Sequence, residues 1–109
     1  MVPVEGHMRG TVLVTPGVLT TTAQAIQGRP AREYLGLVSG DALIVIPRAR
    51  HRGRYNRLRL HQGRQRALRR LAKRASTLGA TVVVGIEIDY IDVGIGRLLV
   101  TATGTAVRL

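Results

Sequence analysis

Two long runs of β-branched residues joined by a glycine-rich turn fill the carboxy-terminal third of this chain. Val82-Val83-Val84-Gly85-Ile86-Glu87-Ile88-Asp89-Tyr90 is followed by Leu98 to Val107, which ends in Gly104-Thr105-Ala106-Val107, and Gly94-Ile95-Gly96 lies between them. Val, Ile and Thr are stiff at χ1 and pack well on a pleated surface, and glycine relieves a tight connection, so the pattern predicts a β-hairpin. No catalytic constellation accompanies it. The hairpin therefore constrains architecture far more than reaction.

A chain of 109 residues makes one domain with one small core. Phe and Trp are absent and only three Tyr occur, so that core must come from Val, Leu, Ile and Ala. Such a core is thin, and a small domain commonly gains the missing burial by oligomerising. The lack of cysteine removes disulfides, thiolate metal sites and cysteine nucleophiles. Apolar runs such as Ala42 to Ile46 fall far short of the roughly 20 residues of a spanning helix, and the amino terminus has no apolar region suited to a signal peptide. A cytoplasmic protein with no membrane partner is the expectation. Residues 1–17 read as an amino-terminal extension, with a possible cloning remnant over 1–7 ahead of Met8, and residues 18–109 as a single domain.

Thr11 to Val14, Val18 to Thr22 and Glu33 to Val38 read as strands, separated by Pro16-Gly17 and Gly28-Arg29-Pro30. Ser39-Gly40-Asp41 signals a turn or bulge, and Ala42 to Ile46 suits a strand buried on both faces. From Tyr55 the period becomes helical. Leu68, Leu71, Ala72, Ala75 and Leu78 form a narrow apolar stripe, with Arg66, Arg69, Arg70, Lys73 and Arg74 on other faces. Gly79 suits the left-handed residue that ends a helix, and Gly63 interrupts the start of the pattern.

The formal charge of +11 is concentrated in one segment. Arg48 to Arg74 contains 11 Arg and one Lys with no acid, while the rest of the chain carries five basic and six acidic residues. A block of that density suits phosphate backbones, through counterion release and bidentate contacts. Tyr55 is its one aromatic residue, so any nucleic-acid binding would be salt-dependent and directed at the backbone rather than at bases. Arg64, Arg66, Arg69, Arg70, Lys73 and Arg74 are the candidate polyanion contacts. A solvated helix face in an arginine-rich proteome accounts for the same residues without any ligand.

Glu33-Tyr34-Leu35-Gly36-Leu37-Val38-Ser39-Gly40-Asp41-Ala42, Leu78-Gly79-Ala80, Val84 to Tyr90 and Gly104-Thr105-Ala106-Val107 together resemble the YbjQ family, a small bacterial domain that carries a heavy-metal-binding label. The resemblance covers roughly residues 18 to 107, and Thr20-Thr21-Thr22 sits where the family has its first strand. It implies an α+β, dodecin- or YbjQ-like fold, with an antiparallel β-sheet and one long helix that is basic and amphipathic here, assembled as a ring-forming homopentamer. It implies no established activity. Two departures stand out. The stretch from Ala42 to Tyr55 is shorter than usual, with His51-Arg52-Gly53-Arg54 in place of a longer loop, and the helix is almost purely basic where the family mixes charges.

Glu87 and Asp89, two apart on a strand, place both carboxylates on one face, where they can serve a hard divalent cation or pair with arginines of a neighbouring subunit. Soft heavy metals are poorly served, since no thiolate exists and the two methionines, Met1 and Met8, lie at the amino terminus. His7, His51 and His61 are the only imidazoles, and neither His51 nor His61, inside the arginine block, has a carboxylate near it in sequence; Ser39 and Ser76 lack a nucleophile motif. Gly94-Ile95-Gly96 is a turn rather than a phosphate loop, because no helix with a following lysine comes after it. The expected protein is non-enzymatic, self-associating and without a cofactor; a polyanion such as nucleic acid is the alternative partner, and divalent-metal binding through Glu87 and Asp89 a lesser one.

Overall fold

The structure, a computed structural model, describes residues 12–14, 17–45 and 52–109, with side chains from Leu13 and, in the helix, from Arg57 onward. The Gly6-His7-Met8 segment and residues 46–51, including Arg48, Arg50 and His51, lie outside it. In chain order the elements are β1 (Val12–Val14), β2 (Val18–Thr20), β3 (Glu33–Val45), α1 (Arg52–Thr77), β4 (Val82–Gly94) and β5 (Arg97–Arg108). The strands form one sheet in the order β1-β2-β4-β5-β3, and α1 packs on one face of it.

The predicted hairpin is β4 and β5, paired from Val82↔Val107 to Gly94↔Arg97. Its loop is Ile95-Gly96, with φ of 55° and 67°. A two-residue loop with both φ positive matches the right-handed twist of the arms, and it forces a β-branched residue into a region that such side chains avoid. Ile95 is also 87% exposed, so no packing offsets the strain.

Three neighbouring pairs are antiparallel, as expected from sequence, and β2 and β4 run parallel over Leu19↔Val82 and Thr20↔Val83, a pairing the sequence did not signal. Parallel strands need a long connection, and β3 with α1 supplies it here. Val12–Val14, in the span read as an extension, joins the sheet through β2. Thr21 carries the ladder on with Thr21 N–H to Val83 O at 3.0 Å and accepts the Ile86 N–H at 3.1 Å.

Ser39-Gly40-Asp41 makes neither a turn nor a bulge. β3 is continuous over 13 residues, and its register shift lies between Tyr34 and Gly36, where φ is 123°. Gly40 serves a different need. A Cβ there would collide with the main chain of α1 at Ala67 O and Leu71 N, so the glycine lets the helix lie directly on the strand. Nor is Ala42 to Val45 buried on both faces: Ala42 and Ile44 are buried beneath the helix, whereas Leu43 and Val45 are 45% and 53% exposed on the other side.

The helix runs unbroken for 26 residues with Gly63 in its interior. Gly63 is buried, and a Cβ there would meet the end of Ile44 and lie 3.1 Å from Val100 Cγ2. The buried seam is Gly63, Ala67, Leu71 and Ala75, with Ala72 beside it. Leu68 is only partly buried, and Leu78, past the last turn, is 45% exposed. The helix stops as the sequence predicts: Gly79 has φ +87°, Ala80 N–H reaches Ala75 O at 3.0 Å and Gly79 N–H reaches Ser76 O at 2.9 Å, the paired bonds of a Schellman end.

The main core fills the space between helix and sheet with Val38, Ala42, Ile44, Leu71, Val83, Ile86 and Val100. A smaller cluster of Ile26, Val82, Val84 and Val107 lies elsewhere, joined by Ala31 and Leu109. Strand alternation assigns Val82, Val84 and Val107 to the face away from α1, so the segment around Ile26 to Ala31 covers one end of that face.

Two consequences can be measured by urea and thermal unfolding. Gly40→Ala drives a methyl into helix backbone that cannot yield and should cost about 2–3 kcal/mol, whereas Gly63→Ala displaces a flexible side-chain end while gaining about 1 kcal/mol of helix propensity and should stay within about 1 kcal/mol of the parent. Ile95→Asn, which creates the favoured Asn-Gly loop, should add about 1 kcal/mol and raise Tm by about 4–8 °C.

Candidate functional site

Because α1 touches the sheet through glycine and alanine, its arginines are carried close to the strands on either flank. The six candidate cations separate into three groups by what they reach. Arg64, half-buried, donates to Tyr90 Oη on β4 at 2.8 Å. Arg70 donates to Asp41 O at 2.6 Å and Arg74 to Ser39 O at 2.8 Å, both on β3. Arg66, Arg69 and Lys73 are exposed.

The second group follows from strand geometry. β3 pairs with β5 on one side only, so alternate residues of β3 direct their N–H and C=O groups outward from the sheet. Ser39 and Asp41 belong to that outward set, and the two guanidiniums occupy their carbonyls. An unpaired edge is a template for pairing with another chain, and long cations laid along it blunt that tendency. Sequence reasoning listed Arg70 and Arg74 as phosphate contacts and missed this role; their spacing of four, one turn apart on one flank, was the available signal.

Glu87 and Asp89 do share a face, as the alternation predicts. Glu87 stands opposite Thr103, and Asp89 opposite Thr101, on the sheet face away from α1. Asp41 stands on the other side of Thr101. Across β5 the Asp41 and Asp89 main chains are two strand spacings apart, about 10 Å. Among the described residues no group of three or more His, Cys, Asp or Glu is placed to hold a metal ion. His61 is exposed on the helix.

Around those acids the same face is apolar. Leu37, Leu43 and Val45 of β3 and Ile91 of β4 have the parity of Asp41 and Asp89, and Leu37 is 85% exposed. A two-layer α/β packing covers one face of a sheet with helix; here most of the other face has no cover among the described residues.

Between the described start of α1 and the end of β3 lies a cleft of about 190 Å³. Arg59, Gln62, Gly63 and Arg66 line it from the helix, and Leu43 to Val45 from the strand. Arg59 and Gln62 were not among the sequence candidates, although Arg59 and Arg66, seven apart, fall on one helix flank.

No helix among the described residues is long and apolar enough to cross a membrane.

Comparison with known proteins agrees with this architecture. Residues 48–109 match the model of the YbjQ family, described as "putative heavy-metal-binding". A UPF0145 protein of Anoxybacillus flavithermus is 32% identical over 104 residues, covering 84% of this chain and 98% of the relative. Another, from Trichodesmium erythraeum, is 36% identical over 108 residues, covering 84% of this chain and 99% of its own. Their names state no activity. A crystal structure from Pediococcus pentosaceus, of a protein with unknown function in the DUF74 family, superimposes with a TM-score of 0.67 at 17% identity, covering 84% of this chain and 97% of that one, and so shares the fold. Matched by the family model over more than half its length and by these relatives over most of it, this chain belongs to the YbjQ family.

Proposed function

We propose that this protein is a non-enzymatic, self-assembling member of its family whose subunits meet through their strands while α1 faces solvent. The observation that carries the reading is the sheet face left uncovered by the described residues, where Leu37, Leu43, Val45 and Ile91 are exposed together. A core without Phe or Trp leaves a small domain short of buried apolar area, and covering this face in an oligomer supplies it. The guarded β3 edge favours contact through the face over open-ended edge pairing. Glu87, Asp89 and Asp41 then meet arginines of a neighbouring subunit across the contact. Five copies is the number that the family resemblance implies.

A second reading has its own support. Arg66, Arg69 and Lys73 are exposed, and Arg57 to Thr77 includes no acid, so the solvent-facing side of α1 suits a polyanion such as nucleic acid. Assembly strengthens it: five copies of a +11 chain carry +55, and self-repulsion of that size is relieved by bound anions. Divalent-metal binding at Glu87 and Asp89 remains the lesser reading, and metal titration of Asp89→Ala by calorimetry decides it.

Size-exclusion chromatography with light scattering, recorded at 260 and 280 nm, tests both main readings in one run. The parent should elute as an oligomer, and Leu43→Asp with Ile91→Lys should reduce it to a folded monomer by circular dichroism. A parent that is monomeric at micromolar concentration sinks the assembly reading. With three Tyr and no Trp, bound nucleic acid would dominate the absorbance. It should leave as salt rises, and charge reversal at Arg66, Arg69 and Lys73 should abolish it without changing oligomer size.

A further inference from the structure

We propose that the cleft between α1 and the end of β3 is a binding site for a single phosphoryl group, held by Arg66, Arg59 and Gln62. The proposal deepens the polyanion reading by giving it a built site in place of a diffuse charged face. About 190 Å³ is small beside the pockets of drug-sized ligands, which run to roughly 300 Å³ and above, and it suits one phosphoryl group with a short stem. Among the described residues, every ionisable group lining it is an arginine.

The geometry is supplied by the fold. Arg59 and Arg66 lie two turns apart on the flank of α1 that overhangs β3, and Gln62 falls between them. Gly63 adds no side chain to the opening, and its closeness to Ile44 brings the helix down onto the strand there. On the other wall, the alternation that turns the carbonyls of Ser39 and Asp41 outward continues to Leu43 and Val45. Those two residues therefore direct main-chain N–H and C=O groups to the same edge. Planar guanidiniums bind phosphate bidentately, the carboxamide N–H₂ and the edge N–H groups add donors, and the edge carbonyls suit a hydroxyl on the ligand's stem.

The other five cations singled out from the sequence lie outside the cleft lining. Arg70 and Arg74 are bonded to β3 and Arg64 to Tyr90, while Arg69 and Lys73 are exposed outside the cleft lining. This division separates the site from a general electrostatic surface. Arg66→Lys keeps the charge and loses the planar fork; Gln62→Leu keeps the charge and loses the amide. Both residues are exposed, so both variants should fold.

Isothermal titration of the full chain at low salt, with inorganic phosphate and separately with a short oligothymidylate, is the test. Arg66→Lys and Gln62→Leu should each weaken binding by roughly fivefold or more, because they remove directed hydrogen bonds, while Arg69→Gln with Lys73→Gln should leave phosphate affinity within about twofold. Phosphate binding with this pattern, and no separate response of the oligonucleotide, supports a small phosphate ester as the ligand. The same pattern seen with the oligonucleotide alone supports the site and assigns it to a nucleic-acid backbone. If Arg66→Lys and Gln62→Leu are silent while Arg69→Gln with Lys73→Gln weakens oligonucleotide binding, the cleft proposal is overturned and the polyanion reading survives. Absence of binding by either probe overturns both.

Discussion

The arrangement depends on a contact made almost without side chains. At Gly40 the main chain of α1 sits directly against β3, and at Gly63 the helix lies close enough to touch Ile44 and Val100. Ala67, Ala72 and Ala75 continue the small-residue seam, and Leu71 is the one large side chain fully buried in it. Packing of this kind buries little area per residue and gains its stability from close dispersion contact, so it tolerates extra volume poorly. Everything on the flanks of the helix follows from it. Arginine side chains that would otherwise extend into solvent arrive within hydrogen-bonding distance of strand carbonyls and of Tyr90.

The same seam explains what was legible in the sequence and what was not. The hairpin could be read because β-branched runs and a glycine turn are local signals, and the end of α1 could be read because Gly79 is locally required at positive φ. Gly40 and Gly63 misled because glycine has two uses. One is to bend the chain; the other is to let another backbone approach, and that second use depends on a partner distant in sequence. The parallel β2–β4 pair was hidden for a related reason, since strand direction depends on the crossover between the strands and not on the residues within them. The face shared by Glu87 and Asp89 could be predicted from alternation alone, whereas Asp41 joined them only once the β3–β5 register was known.

Charge is distributed by the two layers. Asp41, Glu87 and Asp89 share the sheet face away from α1 with exposed apolar residues, and most of the cations lie on the helix on the opposite side. Such a molecule presents unlike surfaces at its two sides, so an acidic partner and an apolar one would be drawn to different faces. The ion pair of Arg108 with Glu33, at 2.7 Å, is roughly half exposed on both sides and adds less than about 1 kcal/mol. Arg108 matters more for position, since its Nε also donates to Gly79 O and so ties the end of β5 to the end of α1.

A basic helix is easily treated as one surface, but the fold makes this one heterogeneous. A guanidinium bonded to a strand carbonyl keeps its charge and several donors, and thus still contributes to the long-range field, yet it must break a contact before it can embrace a phosphate. Exposed Arg69 and Lys73 carry no such cost and also no preorganised geometry. Arg59 and Arg66 line a concave wall of strand backbone, where a ligand would lose water on more than one side and each directed bond would gain strength accordingly. Counting positive charges therefore predicts that anions will approach this helix. The close approach at Gly63 adds what a charge count cannot, a strand edge placed opposite two arginines.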